Sequence, residues 1–110
     1  TEYKRLIREL FSKALSIGEA IFVTPNPFNE SSTTPVAWND VYFKLSDATE
    51  YVNSAVKIAT EMHIPIIDNF NELIKTDYLK LVHTDGLHPN SAGHEYVFEK
   101  IKEYLSSKYS

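Results

Sequence analysis

The chain has 110 residues, of which 43% are hydrophobic and 13% aromatic, and this predicts a single domain with a packed core. Fifteen acidic residues against eleven basic ones give a net charge of −4, with no basic block, so no nucleic-acid partner is expected. The absence of cysteine excludes disulfides, thiolate zinc sites and cysteine nucleophiles. No apolar run approaches the roughly 20 residues that a membrane span needs.

The first 45 residues predict a helix, a strand and a long loop. The helix is indicated by apolar residues at helical spacing, namely Tyr3, Leu6, Ile7, Leu10, Phe11, Ala14 and Leu15. Gly18 is expected to end it in a left-handed conformation. The apolar run 20–23 suits a strand buried on both faces, as in a parallel sheet, and the prolines after it end the strand. Residues 28–45 show no period, and loops of this length are usually functional or mobile.

A second helix and a second strand follow the loop. The helix is expected to begin near Ser46 or Asp47, because Glu50 stands three residues after Asp47 as in a capping box. The segment 64–68 has the apolar character of a strand. Pro65 cannot donate a hydrogen bond to a neighbouring strand, so this strand should lie at the sheet edge.

The remaining elements complete an α/β pattern. Asn69 with Glu72 is expected to cap a short helix, and Asn90 or Ser91 to cap a last one. Helices that alternate with strands predict an α/β fold with parallel strands. Two strands make a poor sheet, and the strand at 21–23 would keep one unpaired side, which is an aggregation liability. We therefore expect more of the same polypeptide, or a partner chain, to cover strand 21–23.

The most informative segment is Asp85-Gly86-Leu87-His88-Pro89-Asn90, followed by Gly93 and His94. A carboxylate three residues before a histidine can fix the tautomer of the imidazole and stabilise the imidazolium, while the outer nitrogen accepts a proton from a nucleophile. Two of the three glycines, Gly86 and Gly93, fall here and indicate tight backbone turning. Asp85 and His88 are thus predicted to be two thirds of a catalytic triad.

Two other interpretations of this segment stay open. Asp85 can instead cap backbone N–H groups at a helix-entry turn. His83, Asp85, His88 and His94 also form a set of nitrogen and oxygen ligands that zinc tolerates, but their spacing matches no known ligand pattern, and no metal is expected. His94 would lie in the first turn of the last helix, where a neutral ring packed against the loop is favoured over catalysis.

The run Asp-x-x-His-Pro-Asn-x-x-Gly-His from Asp85 to His94 resembles the C-terminal block of the SGNH hydrolases, also called GDSL-type lipases and esterases. Segments 21–25 and 64–68 look like a central strand and the last strand of that family. The resemblance implies a flavodoxin-like, three-layer α/β/α fold with a parallel sheet. Residues 1–110 would then be the C-terminal portion of one such domain, with about two strands and three to four helices.

The resemblance also implies an activity. His88 would be the general base toward a serine, and Asp85 would orient it. The complete enzyme would cleave a carboxylic ester, an acetylated carbohydrate or a similar acyl bond without metal or cofactor. The family's Gly-Asp-Ser block and its oxyanion-hole glycine and asparagine are not found here. Trp38-Asn39-Asp40 lacks the glycine of the Gly-x-Asn-Asp block and follows the strand that the block should precede. The chain alone is therefore expected to be inactive, and its compartment is not assigned.

Aromatic residues of the long loop are candidates for a substrate site. Phe28, Trp38 and Tyr42 can line a pocket for an acyl or sugar group, or they can equally pin the loop to the core. The alternative to an esterase is a non-catalytic α/β binding or assembly module. Such a module would dimerise through the open edge of strand 21–23.

Overall fold

The computed structural model describes residues 1–109, which form helices around a short parallel sheet. The elements are α1 (Glu2–Ile17), β1 (Phe22–Val23), α2 (Leu45–Glu61), β2 (Ile66–Ile67), α3 (Asn69–Leu73) and α4 (Ser91–Tyr109). Short 3-10 turns cover Glu30–Ser32 and Tyr78–Leu81. β1 and β2 pair in parallel, with Phe22 opposite Ile66 and Val23 opposite Ile67. This order agrees with the α/β fold class that the sequence predicts.

The main core lies where α1, the end of α2 and the start of β2 meet. Its buried cluster consists of Phe11, Ile58, Ala59 and Ile64. Phe22 of β1 packs against this cluster, and its ring centre lies 5.2 Å from that of Phe11. Burial of one large apolar side chain contributes about 1.5–3 kcal/mol, so these contacts hold the strands against α1 and α2.

The apolar stripe of α1 is only partly covered. Phe11 is buried, whereas Leu6, Leu10 and Leu15 are exposed. α1 packs chiefly against α2, and Leu10 borders an apolar groove beside β1, whereas Leu6 and Leu15 do not line this groove. The expected burial of strand 20–23 on both faces is wrong, because both residues of β1 are only half-buried.

The left-handed conformation predicted for Gly18 after α1 is not found there but at His63 after α2. α1 ends at Ile17 as expected, but Gly18 has φ 170°, which is extended backbone. His63, two residues after the end of α2, has φ 57°, and its N–H donates to the Thr60 carbonyl (3.1 Å). A histidine therefore takes the left-handed conformation that favours glycine.

The predicted caps of α2 and α3 are also corrected. α2 begins at Leu45, so Asp47 and Glu50 form no capping box. Instead, the carboxylate of Glu30 accepts a hydrogen bond from the Leu45 N–H (2.8 Å) and supplies the cap from a distant turn. α3 is capped one residue earlier than expected, by Asp68, whose side chain accepts from the backbone N–H of Asn71 (3.1 Å).

No helix of residues 1–109 is long and apolar enough to cross a membrane.

Candidate functional site

Residues 83–90, called the site loop here, lie between the Tyr78–Leu81 turn and α4. An antiparallel bridge between Val82 and Pro89 closes the loop at its base. Inside it, the His83 N–H donates to the His88 carbonyl (2.8 Å), and the Gly86 N–H donates to the His83 carbonyl (2.9 Å). The loop is therefore held by its own backbone hydrogen bonds.

Gly86 packs tightly against the 29–32 turn. Its φ is 81°, and a Cβ at this position would overlap the Cβ of Ser32. Its carbonyl accepts a hydrogen bond from the Asn29 N–H (2.8 Å), and the Asn29 side chain donates to Ser32 Oγ (3.3 Å). Asn29 and Ser32 thus hold the site loop by a hydrogen bond to Gly86 and by close packing against it. The sequence indicates only a polar loop at Asn29 and Ser32. It does not predict their contact with Gly86, because the two segments are more than 50 residues apart.

The side chains of Asp85 and His88 contact each other. Asp85 Oδ2 lies 2.6 Å from His88 Nδ1, and 24% of the aspartate side chain and 64% of the histidine side chain are exposed. An ionised carboxylate only accepts hydrogen bonds, so Nδ1 must carry the proton of the neutral ring. Nε2 is then an unprotonated acceptor on the outer side of the imidazole. This arrangement can take a proton from a hydroxyl group.

The second oxygen of Asp85 organises the loop backbone. Oδ1 accepts hydrogen bonds from the N–H groups of Leu87 (2.8 Å) and His88 (3.0 Å). The His88 backbone N–H, the imidazole and the Leu87 N–H, in this order, hold the pKa of the Asp85 carboxyl well below its ordinary value of 3.8. The capping role and the imidazole-orienting role therefore belong to one side chain, with one oxygen for each.

The other histidines make different contacts. His83 Nδ1 accepts a hydrogen bond from the Asp85 N–H (3.2 Å) and lies 3.7 Å from Asp85 Oδ1. His94 is exposed in the first turn of α4, so its ring is not packed against the loop as expected. Within residues 1–109, no three His, Cys, Asp or Glu side chains are grouped so that they could hold a metal ion. The structure does not bring the four-residue zinc set together.

Asn90 joins the site loop to α4 and confirms the predicted cap. Its Oδ1 accepts from the Gly93 N–H (2.9 Å), and its Nδ2 donates to the carbonyls of Lys80 (2.8 Å) and Val82 (3.3 Å). A Cβ on Gly93 would overlap the Leu81 carbonyl oxygen, so the helix start lies directly against the preceding turn. This clamp fixes the position of the loop relative to α4.

Of the three aromatic candidates, only Trp38 reaches the Asp85–His88 pair. Its indole lies beside the His88 imidazole and nearly parallel to it, with ring centres 6.4 Å apart and planes 24° apart. Phe28 is buried and packs edge-on against Phe43, with ring centres 6.2 Å apart. Phe28 is thus a buried packing residue of the long loop. Tyr42 is exposed and shares with Phe28 and Phe43 a shallow, mainly apolar cavity of about 300 Å³.

The chain matches the family model for GDSL-like lipases and acylhydrolases over residues 1–101. No curated protein and no solved structure matches it significantly. The family match covers all elements from α1 into α4, including the site loop. The chain therefore belongs to the GDSL-like lipase/acylhydrolase family.

Proposed function

We propose that this chain supplies the aspartate and histidine of a Ser-His-Asp triad in an ester hydrolase. The observation that carries the proposal is the 2.6 Å hydrogen bond between Asp85 Oδ2 and His88 Nδ1. It fixes the tautomer that leaves Nε2 unprotonated, and the exposed side chain of His88 leaves room for a serine hydroxyl to approach Nε2. Family membership supports the same reaction class.

In the proposed reaction, His88 Nε2 takes the serine hydroxyl proton as the serine oxygen attacks the ester carbonyl. The imidazolium that forms is stabilised by the ionised Asp85, which the loop N–H groups keep deprotonated. The same proton then passes to the departing alcohol, and an acyl-enzyme remains. His88 next activates a water molecule that hydrolyses the acyl-enzyme and restores the serine.

The proposal extends to the rest of the domain. We propose that residues 1–110 are the C-terminal portion of a three-layer SGNH domain, and that the serine and oxyanion donors come from a segment that also covers β1. The groove between α1 and β1 supports this, since it is a mainly apolar cavity of about 340 Å³. Leu10 on its rim is 61% exposed. A covering segment would bury this surface, which contributes about 25 cal/mol per Å².

The aromatic residues give the proposed substrate contacts. Trp38 is exposed beside His88, and Tyr42 presents its ring at the cavity whose inner wall is Phe28. Large aromatic side chains with an apolar face suit an acyl chain or a sugar ring. We propose that Trp38 and Tyr42 contact the substrate, with Phe28 as their buried support.

The experiment compares the 110-residue chain with a polypeptide that extends upstream of Thr1. Both are treated with a fluorophosphonate, which labels activated serines, and assayed with an activated ester. We expect labelling and turnover only in the longer polypeptide. There, Asp85→Asn should lower kcat by about 10³–10⁴, because the amide keeps the loop acceptor but favours the wrong tautomer.

Asp77→Asn is the matched control, because the Asp77 side chain makes no capping hydrogen bond. It should leave kcat unchanged. A loss of less than about tenfold in Asp85→Asn would reduce Asp85 to a structural cap. Serine labelling of the 110-residue chain that survives His88→Gln would contradict the role given to His88.

The apolar groove also favours a second candidate, a binding module that dimerises through the open edge of β1. This function predicts a dimer of the 110-residue chain that Leu10→Lys dissociates. Leu15→Lys is the control, because Leu15 is exposed on the same helix but does not line the groove. Sedimentation of the three proteins, together with fluorophosphonate labelling of the longer polypeptide, separates the two candidates.

A further inference from the structure

Trp38 lies at the tip of a turn that projects from the long loop. The Val36 N–H donates to the Val41 carbonyl (3.0 Å), which closes the turn around Trp38. The side chain stays 57% exposed and joins no part of the buried core. Tryptophan is on average a well-buried residue, so its exposed position beside the His88 imidazole needs a physical reason.

The indole supplies a restraint that Asp85 cannot provide. The hydrogen bond from Nδ1 to Asp85 holds one edge of the imidazole, but the ring can still swing about that bond. Most of the His88 side chain is exposed, so its neighbours restrict this swing little. The indole lies nearly parallel to the imidazole with ring centres 6.4 Å apart, toward the outer end of the range of offset-stacked aromatic pairs, and so limits movement of the imidazole toward the indole.

We propose that Trp38 is a positioning residue that holds the plane of the His88 imidazole. Asp85 fixes the edge of the ring, and Trp38 fixes its face. The proposal rests on the esterase function only for its catalytic consequence, since the contact itself belongs to the 110-residue chain. It gives Trp38 a role in addition to contact with the substrate.

The first test measures the imidazole directly in the 110-residue chain by NMR. Loss of the stack in Trp38→Ala should increase the exchange rate of the His88 Nδ1 proton with water at least threefold, because the ring leaves Asp85 more often. Trp38→Phe keeps a flat face and should restore most of the protection. The control is Phe98→Ala, since Phe98 is 56% exposed but lies on α4. An exchange rate in Trp38→Ala equal to that of the parent chain would overturn the proposal, whatever the protein's activity.

The second test uses the longer, active polypeptide. Misplacement of a catalytic group lowers the rate of the chemical step, so Trp38→Ala should lower kcat by about tenfold, whether or not KM also rises through loss of the substrate contact. Trp38→Phe should recover most of the rate. A rise in KM at unchanged kcat would overturn the positioning role and leave Trp38 a substrate contact alone. If no longer polypeptide has esterase activity, the proposed function fails, and the exchange measurement still decides the positioning role.

Discussion

Gly86 is the backbone position on which the geometry of the site loop depends most. With φ 81°, an alanine here would take a conformation that costs an L-residue roughly 1–2 kcal/mol. Its Cβ would also overlap the Cβ of Ser32, which is fixed to the backbone of the 29–32 turn. Overpacking of this kind costs typically about 1–3 kcal/mol. We therefore expect Gly86→Ala to lower the free energy of unfolding by about 2–5 kcal/mol.

The matched control is Gly18→Ala. Gly18 has an extended backbone, and no atom lies within 4 Å of the Cβ it would gain. Both variants restrict the unfolded chain equally, so Gly18→Ala should be neutral or stabilising by less than about 1 kcal/mol. Urea unfolding of the 110-residue chain, monitored by circular dichroism, measures the free energy of unfolding of both variants.

A double variant separates the two contributions at Gly86. Ser32→Gly removes the overlapping Cβ. In the Ser32→Gly background, Gly86→Ala should therefore lower the free energy of unfolding by about 1–3 kcal/mol less than it does in the parent chain, and the cost of the left-handed conformation should remain. Equal stabilities of Gly86→Ala and Gly18→Ala would refute the packing of the site loop against the 29–32 turn.

Two further predictions concern the loop. Asn90→Ala should lower the free energy of unfolding by about 1–3 kcal/mol, because it removes the cap of Gly93 and the donor to the Lys80 carbonyl. Asn90→Ser keeps a cap acceptor without placing a second oxygen against the Lys80 carbonyl and should cost less; equal losses in the urea midpoints of both variants would contradict this. The pKa of Asp85 is lower in the folded chain than in the unfolded chain, so its contribution to stability is present above about pH 4 and is lost as the pH falls toward the folded value. The stability difference between the parent chain and Asp85→Asn should therefore shrink between neutral pH and about pH 3, and a constant difference would argue against the lowered pKa.

The features that the sequence predicts correctly are those formed by neighbouring residues. Asp85 and His88 are three residues apart in a glycine-containing loop, so their contact needs only a local turn. Asn90 caps Gly93 in the same way. The order of helices and strands follows from apolar periodicity and from the prolines that end the first strand.

The features that the sequence does not predict depend on contacts between distant segments. Glu30 caps α2 from 15 residues away, which no local capping pattern indicates. The stack of Trp38 on His88 joins two loops that share no motif. For α1, periodicity identifies the apolar stripe, but only a neighbouring element decides which part is buried, so Leu10 is exposed and Phe11 is not.

The hydrogen bond between Asp85 and His88 requires a specific tautomer, and long-range ¹⁵N–¹H NMR of the imidazoles at neutral pH tests it most directly. We predict that His88 carries its proton on Nδ1 and leaves Nε2 bare, whereas His83, whose Nδ1 accepts from the Asp85 N–H, carries its proton on Nε2. In Asp85→Asn, the His88 proton should move to Nε2. A His88 ring protonated on Nε2 in the parent chain, or one unaffected by Asp85→Asn, would contradict the account of this site as a carboxylate-oriented base.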